Sequence, residues 1–234
     1  SKVLMWPVEH VVSKLDGLDE STRDMITRET NDRIISELSK AAEKVDPGQS
    51  SLLALDWMNG NRTVLVDQRL TGLFVGLTLH TTAAQMYKAL LEATAFGARI
   101  IAERFESYGV KVQRVINCGG IPYKSPHLMQ IYADVTRREF SVAASSQAPA
   151  LGSSMWAAVA AGAAAGGYDS IEDATARMAH LRDEHYVPDP AAAAVYDELY
   201  AEYELLHDYF GRGTNDVMKR LRAIRDRARE TSAS

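Results

Sequence analysis

The chain has 234 residues, of which 46% are hydrophobic and 24% charged, and its formal net charge at pH 7 is −5. These fractions are typical of globular domains, and the negative charge argues against generic nucleic-acid binding. A single cysteine excludes an internal disulfide, and no signal-peptide pattern or membrane-length apolar stretch occurs, which favours a cytoplasmic protein.

The first predicted element is an amphipathic helix between Ser21 and Lys44. Its apolar residues recur at near-helical spacing, and the pair Pro47-Gly48 ends it. Two strands are predicted next, at Leu52 to Leu55 and Leu73 to Leu79, on either side of a loop with strong turn signals. A capping box, Thr82-Ala-Ala-Gln85, then predicts a long helix.

The segment from Val115 to Asp134 predicts a strand, a turn containing Gly119-Gly120, and a helix with Ser125 as N-cap and Pro126 at its first position. Two glycines let the backbone approach a ligand closely, and a helix N-terminus offers N–H donors and partial positive charge. This geometry is typical of a nucleotide site. A tight strand-to-helix connection can also need glycines for its own backbone, so the pattern alone leaves both interpretations open.

In the rest of the chain, predicted strands and helices continue to alternate, which is typical of the α/β class. They are a strand at Glu139 to Ala143, an alanine-rich helix at Leu151 to Ala164, a helix starting at Ser170, and an antiparallel helical pair beyond Pro188.

Three segments in order resemble the FGGY family of carbohydrate kinases. The string NCGGIPYKSPHLMQIYADV, residues 117–135, is similar to the family's segment that closes over the adenosine of ATP, and residues 52–78 and 147–162 resemble its G-E-R and ALGAA stretches. The resemblance implies an actin-like (ribonuclease H-like) ATPase domain at 50–187. It also implies extra helices at the N-terminus, 1–49, from the inter-domain region, and at the C-terminus, 188–234.

The chain departs from the family pattern in four ways. Cys118 stands where the family often has Asp, Asn61 replaces Glu, Thr71 replaces Arg, and Lys124-Ser125 displace an Asn. The first two departures resemble the branch that phosphorylates L-ribulose in L-arabinose use. A xylulokinase-like enzyme is the alternative within the family.

The resemblance implies ATP as cofactor, with Mg²⁺ brought by ATP and no metal site in the protein. Gly119 and Gly120 are expected to contact the nucleotide through the backbone, with Lys124 and Ser125 beside the adenosine; Lys124 as a surface turn residue is the alternative. The family's D-x-G-T turn, most sugar contacts and the catalytic aspartate belong to a first domain, and no D-x-G-T occurs here. The chain alone is therefore expected to contain no catalytic residue and to be inactive.

The expected partners are ATP and, through the first domain, a sugar, with no nucleic acid or membrane; a homo-oligomer is left open. A stand-alone nucleotide-binding or interaction module is the alternative from another functional class. Structural roles are favoured for Asp56, Asp67 and Asp134, and Cys118 is expected to be a small buried apolar residue. The residues Asn59, Asn61 and Arg62 either face the cleft or, as favoured, stabilise their turn.

Overall fold

A computed structural model describes residues 2–233, with side chains from Trp6 to Ser232. Helices and short strands alternate along the chain. In order, the elements are α1 Lys2–Val12, α2 Glu20–Ala42, β1 Leu53–Leu55, β2 Leu73–Val75, α3 Ala83–Ser107, β3 Val115–Asn117, α4 Gly120–Lys124, α5 Pro126–Thr136, β4 Phe140–Ala143, α6 Ala148–Ala161, a 3₁₀ turn Ala163–Ala165, α7 Ile171–Met178, β5 Leu181–Tyr186, α8 Pro190–Gly211 and α9 Val217–Ala233.

The strands form two small sheets. β1 and β2 pair antiparallel, with Ala54 opposite Phe74. The other sheet has the order β3-β4-β5. In it β3 runs parallel to β4, with Val115 opposite Phe140, and β5 lies antiparallel on the far side of β4. The predicted α/β class is confirmed.

The long helix α3 is the centre of the packing. Thr82 and Gln85 form the predicted capping box at its start, and the helix contacts α2, α5, α8 and β1. Phe96, fully buried in its middle, meets the aromatic side chains of α8, among them Tyr196 and Tyr203. The aromatic stripe of α8 is therefore core packing, because its rings close over α3.

The last helix contacts the loop between β1 and β2. Met218 is buried, and its sulfur lies 3.4 Å from the backbone nitrogen of Thr71. Arg222 donates to the carbonyl of Gln68 at 2.8 Å. Within residues 2–233, no helix combines the length and apolar character needed to cross a membrane.

Three local features differ from the sequence-based expectations. The short helix α4 occupies the bend that was expected to be a plain turn. The strand β5 carries a polar sequence, LRDEHY, and lies almost entirely exposed, so no apolar pattern predicts it. Cys118 is exposed rather than buried, because β3 has already ended at Asn117.

Candidate nucleotide site

The bend after β3 begins with a backbone conformation that requires glycine. Gly119 has φ 89° and ψ −169°, a region that side chains with a Cβ rarely enter, and it caps the N-terminus of α4. The next residue, Gly120, starts the helix. The sequence prediction of a glycine-dependent bend at this point is therefore correct.

Both glycines face open space. A Cβ added at Gly119 or at Gly120 would meet no other heavy atom within 4 Å. Packing inside the protein therefore does not account for the absence of a side chain at Gly120, whose φ is not in the left-handed region. A ligand approaching the main chain is a physical reason for that absence, because such an approach needs room that a side chain would fill.

The short helix α4 is attached to the sheet by its side chains. Pro122 is buried, and the Tyr123 hydroxyl donates to the carbonyl oxygen of Ala143 at the end of β4 at 2.5 Å. The Arg182 guanidinium of β5 lies 5.0 Å from the centre of the Tyr123 ring. These contacts fix the bend from the side of β4 and β5, so the strand that the sequence does not predict helps position the site.

The helix α5 starts as its sequence predicts. Ser125 is the N-cap, its Oγ accepts a hydrogen bond from the backbone N–H of Leu128 at 3.4 Å, and Pro126 is the first helical residue. The Asn117 side chain donates to the sulfur of Met129 at 3.0 Å, which ties the end of β3 to the first turn of α5. Lys124 is exposed beside Ser125 and makes no ion pair with any residue that the structure describes.

The four candidate residues therefore lie in one continuous bend. It consists of an open glycine pair, one turn of helix and the N-terminus of a second helix, with an unpaired lysine at the junction. This arrangement supplies backbone N–H groups, free space and a positive charge to an anionic or polar ligand. The residues fit a nucleotide such as ATP. Within the described part of the chain, no group of three or more His, Cys, Asp or Glu residues could hold a metal ion.

The loop residues at positions 59–62 lie elsewhere. Asn61 stabilises the loop itself, because its Oδ1 accepts from the backbone nitrogens of Thr63 and Leu65, both at 3.2 Å. Asn59, Asn61 and Arg62 all line a cavity of about 520 Å³ between the loop, α3 and α8. The structure thus supports the favoured turn-stabilising role for Asn61, whereas Asn59 and Arg62 are placed only by their position at this cavity.

Two of the three candidate aspartates, Asp67 and Asp134, make structural hydrogen bonds. Asp67 accepts from Arg69, whose hydrogen bonds keep the pKa of Asp67 well below its usual value. Asp134 accepts from the Gln130 side chain and from the backbone nitrogen of Asp189, both at 2.8 Å, and burial raises its pKa. Neither lies free for chemistry, which agrees with the structural roles predicted for them.

The third aspartate, Asp56, lines the cavity beside the loop at residues 59–62. Burial raises the pKa of Asp56. His207, 2% exposed, lines the same cavity, and its Nε2 has no hydrogen-bond partner among the residues described. Sequence reasoning misses His207, because its only signal is a place four residues after Tyr203 in an aromatic helical stripe.

Comparisons with known proteins agree with this fold. Residues 5–161 match the FGGY family of carbohydrate kinases, C-terminal domain. The chain is 51% identical to a ribulokinase of Halalkalibacterium halodurans over 95% of its own length and 38% of that protein's. It is 55% identical to a ribulokinase of Geobacillus thermodenitrificans over 84% of the chain and 35% of the relative. The chain thus spans less than two-fifths of the curated relatives it matches.

Solved structures show the same fold. A xylulose kinase from Rhodospirillum rubrum superposes with a TM-score of 0.64 at 26% identity, covering 88% of this chain and 37% of that one. The fold is the actin-like ATPase fold of these sugar kinases, as the sequence predicts. With a family match over residues 5–161 and identities above 50%, the chain belongs to the FGGY family of carbohydrate kinases and represents its C-terminal domain.

Proposed function

We propose that this chain is the C-terminal, nucleotide-binding half of an ATP-dependent kinase that converts L-ribulose to L-ribulose 5-phosphate in the use of L-arabinose. The observation that carries the proposal is the 51% identity to a ribulokinase over nearly the whole chain. The xylulose kinase of known structure is 26% identical, which favours the ribulose branch. Because ATP is the phosphate donor, we expect the reaction in the cytoplasm.

The bend after β3 would hold the nucleotide. Gly119 and Gly120 leave room for the nucleoside against the main chain, since a Cβ at either position points into open space. Ser125 and the exposed Lys124 lie at the start of α5, at the end of the same bend, and on our proposal they contact the adenosine. Mg²⁺ would be bound mainly by the phosphate oxygens of ATP and by water, as is usual for this ion.

The chain alone should transfer no phosphate. Phosphoryl transfer depends on holding the phosphate, the metal ion and the attacking hydroxyl in line, and on stabilising the charge that develops. An aspartate base also has to lie within hydrogen-bond reach of that hydroxyl. Asp67 and Asp134 are engaged in structural hydrogen bonds here, so we assign the base and most sugar contacts to the other domain of the full-length kinase.

The nucleotide site is tested by a single substitution with a matched control. Gly120→Val adds a branched side chain at a position where a Cβ meets no heavy atom within 4 Å beyond its chain neighbours and the backbone of α4, and where φ is not left-handed. We expect ATP affinity, measured by calorimetry, to fall at least tenfold, with an unchanged melting temperature. Gly152→Val in α6, also a helical glycine with open space around it, is the control. Equal ATP affinity of the two variants would remove the site.

Activity is tested with a coupled ADP-release assay on L-ribulose and D-xylulose. We expect no turnover by this chain alone. When the chain replaces the corresponding C-terminal part of the Halalkalibacterium halodurans ribulokinase, we expect turnover with preference for L-ribulose. Turnover by the isolated chain, or a folded fused enzyme without turnover of L-ribulose, would contradict the proposal.

A further inference from the structure

The cavity beside the loop at residues 59–62 shares no residue with the bend after β3. Its volume of about 520 Å³ lies within the range of about 300–1,000 Å³ that is usual for small-molecule sites. None of the four candidate nucleotide residues lines it. The nucleotide site therefore does not account for this cavity.

The α3 wall of the cavity contains a glycine that packing does not require. Gly97 lies in the middle of α3, where glycine is less favourable than alanine. An added Cβ would lie 3.7 Å from the Tyr203 hydroxyl, an ordinary contact, and would meet no other heavy atom within 4 Å beyond its chain neighbours and the backbone of α3. Both residues line the cavity. The missing side chain therefore keeps cavity space open and relieves no clash.

The carboxylate of Asp56 lies on the cavity wall without a donor. Burial raises its pKa, and no other residue that the structure describes donates a hydrogen bond to it or forms an ion pair with it. A carboxylate that is withdrawn from water without such partners is costly. A ligand that donates hydrogen bonds would supply the missing compensation.

The Nε2 atom of His207 is a second acceptor without a donor. The imidazole is 2% exposed, its centre lies 5.4 Å from the centre of the Trp57 ring, and its Nδ1 lies 2.9 Å from Oδ1 of Asp208. Asp208 also accepts from Arg212 at 2.7 Å, which favours the charged carboxylate and places the proton on Nδ1. In the neutral ring Nε2 is then an acceptor, and it has no partner among the described residues.

The exposed part of the lining adds donors. Asn59 and Arg62 are exposed, and within residues 6–232 neither side chain makes a hydrogen bond or an ion pair. The carboxylate of Asp56 would repel an anion, and the guanidinium of Arg62 would repel a cation. Hydroxyl groups both donate and accept, so a neutral molecule with several hydroxyls fits this lining.

We propose that this cavity binds a neutral polyhydroxylated molecule of the size of a sugar or sugar alcohol, as a ligand additional to ATP. Its hydroxyls would donate to Asp56 and His207 and accept from the exposed donors at the rim. Its C–H groups would lie against the apolar α3 wall beside Gly97, next to Ile100 and Ile101. Because the whole lining belongs to this chain, binding should not need the other domain of the kinase, to which we assign most substrate contacts.

The test titrates ribitol, a neutral five-carbon polyol, into this chain and follows heat release and amide hydrogen exchange. We expect saturable one-to-one binding with a Kd of about 1 mM or tighter and slower exchange at residues 57–63. Gly97→Val, which adds a side chain at the cavity wall, and Asp56→Asn, which removes the carboxylate charge, should each weaken binding at least tenfold. Gly152→Val, at a helical glycine outside the cavity, should leave it unchanged.

Several results would overturn the proposal. They are the absence of saturable ribitol binding by the folded chain, unchanged binding by Asp56→Asn, and equal effects of Gly97→Val and Gly152→Val. If Gly97→Val does not fold, Asp56→Asn alone decides. Tighter binding of putrescine, an organic cation, than of ribitol would also overturn the neutral class. Ribitol protection of residues 57–63 in this chain but not in the fused enzyme would show that preceding polypeptide fills the cavity, and would overturn the proposal as well.

The proposed function is judged separately by titrating ATP into the same samples. Ribitol binding that persists at saturating ATP supports two sites, whereas displacement of ribitol by ATP would overturn the inference. A chain that binds ATP but not ribitol removes only this inference. A chain that binds ribitol but not ATP removes only the nucleotide site.

Discussion

At the scale of single residues, the bend after β3 depends on two glycines for different reasons. Gly119 is needed for its backbone angles, since φ 89° with ψ −169° belongs to a region used almost only by glycine. Gly120 is needed, on our proposal, for the space it leaves free. A substitution at Gly119 should therefore lower the stability of the protein, whereas a substitution at Gly120 should weaken nucleotide binding.

Gly119→Ala should destabilise the protein by about 1–3 kcal/mol, because the cost of holding a Cβ in this region is of that order. The control is Gly166→Ala. Gly166 has φ 83° and ψ 10°, within the left-handed helical region, and its added Cβ also meets open space. That region costs roughly 1 kcal/mol for alanine. Urea unfolding of both variants measures the difference, and equal losses would contradict this account of Gly119.

A buried charged pair lies in the N-terminal half of α3. Lys88 and Glu92 of α3 are 2% and 4% exposed, with Nζ 3.5 Å from Oε1, and both contact the hydroxyl of Tyr196. Burial raises the pKa of Glu92, and the charge of Lys88 opposes that rise. Removing one member of such a pair leaves the other charge buried without compensation.

Lys88→Met should therefore lower the free energy of unfolding by about 3–5 kcal/mol near neutral pH. A carboxyl whose folded pKa is raised binds more protons folded than unfolded, so its contribution falls as pH rises through the interval between the two values. The loss relative to wild type should thus grow as pH rises above the ordinary pKa of glutamate, about 4.3. Adding Glu92→Gln to Lys88→Met should restore part of the stability and reduce this pH dependence. A loss of stability in Lys88→Met that does not change with pH would contradict the mechanism.

At the scale of elements, the helices α3 and α5 are capped unequally. Thr82 and Gln85 exchange two hydrogen bonds at the start of α3, of 3.3 and 2.9 Å. Ser125 makes one, of 3.4 Å, at the start of α5. Since a cap contributes about 0.5–2 kcal/mol, we expect Thr82→Ala to cost more than 1 kcal/mol and Ser125→Ala roughly 0.5 kcal/mol. Thermal unfolding compares them, and the reverse order would contradict the geometric account.

Local signals in the sequence predict most elements of the fold. The capping box of α3, the Ser125-Pro126 start of α5 and the Ser170 cap of α7 are confirmed, because each depends on residues within one turn of helix. The strand β5 escapes prediction, since its pairing with β4 and not its own apolar pattern makes it a strand. Division of the chain at residues 49 and 187 stays a prediction.

The candidate site was predictable only in part, for the same reason. The sequence places Gly119, Gly120, Lys124 and Ser125 next to one another, so their common bend follows from the chain itself. The exposure of Cys118 does not follow, because the pattern Val115-Ile116 predicts a buried strand at this point whereas β3 ends at Asn117, one residue earlier. His207 reaches its cavity through the packing of α8 on α3, which no local pattern encodes.

At the scale of the whole molecule, three helices that are distant in sequence support the bend. Arg99 of α3 joins them, because its Nη1 donates to the Val135 carbonyl of α5 at 3.0 Å and to the Asp197 carboxylate of α8 at 2.6 Å. The guanidinium also lies 4.0 Å from the ring centre of Tyr200. One side chain thus fixes α5, and with it the N-terminus at the bend, against both neighbours.

Arg99→Lys should destabilise the protein by about 2 kcal/mol, since a lysine keeps the charge but cannot make these hydrogen bonds and the ring contact at once. The matched control is Arg33→Lys in α2. Arg33 pairs with Glu29 at 2.8 Å, and both side chains are more than half exposed, so that change should stay within about 0.5 kcal/mol. The free energies of unfolding are compared by urea denaturation, under the condition that their dependence on urea concentration is the same in both variants and the original protein. If the two substitutions cost the same, Arg99 contributes only its charge, and the link between α3, α5 and α8 has another origin.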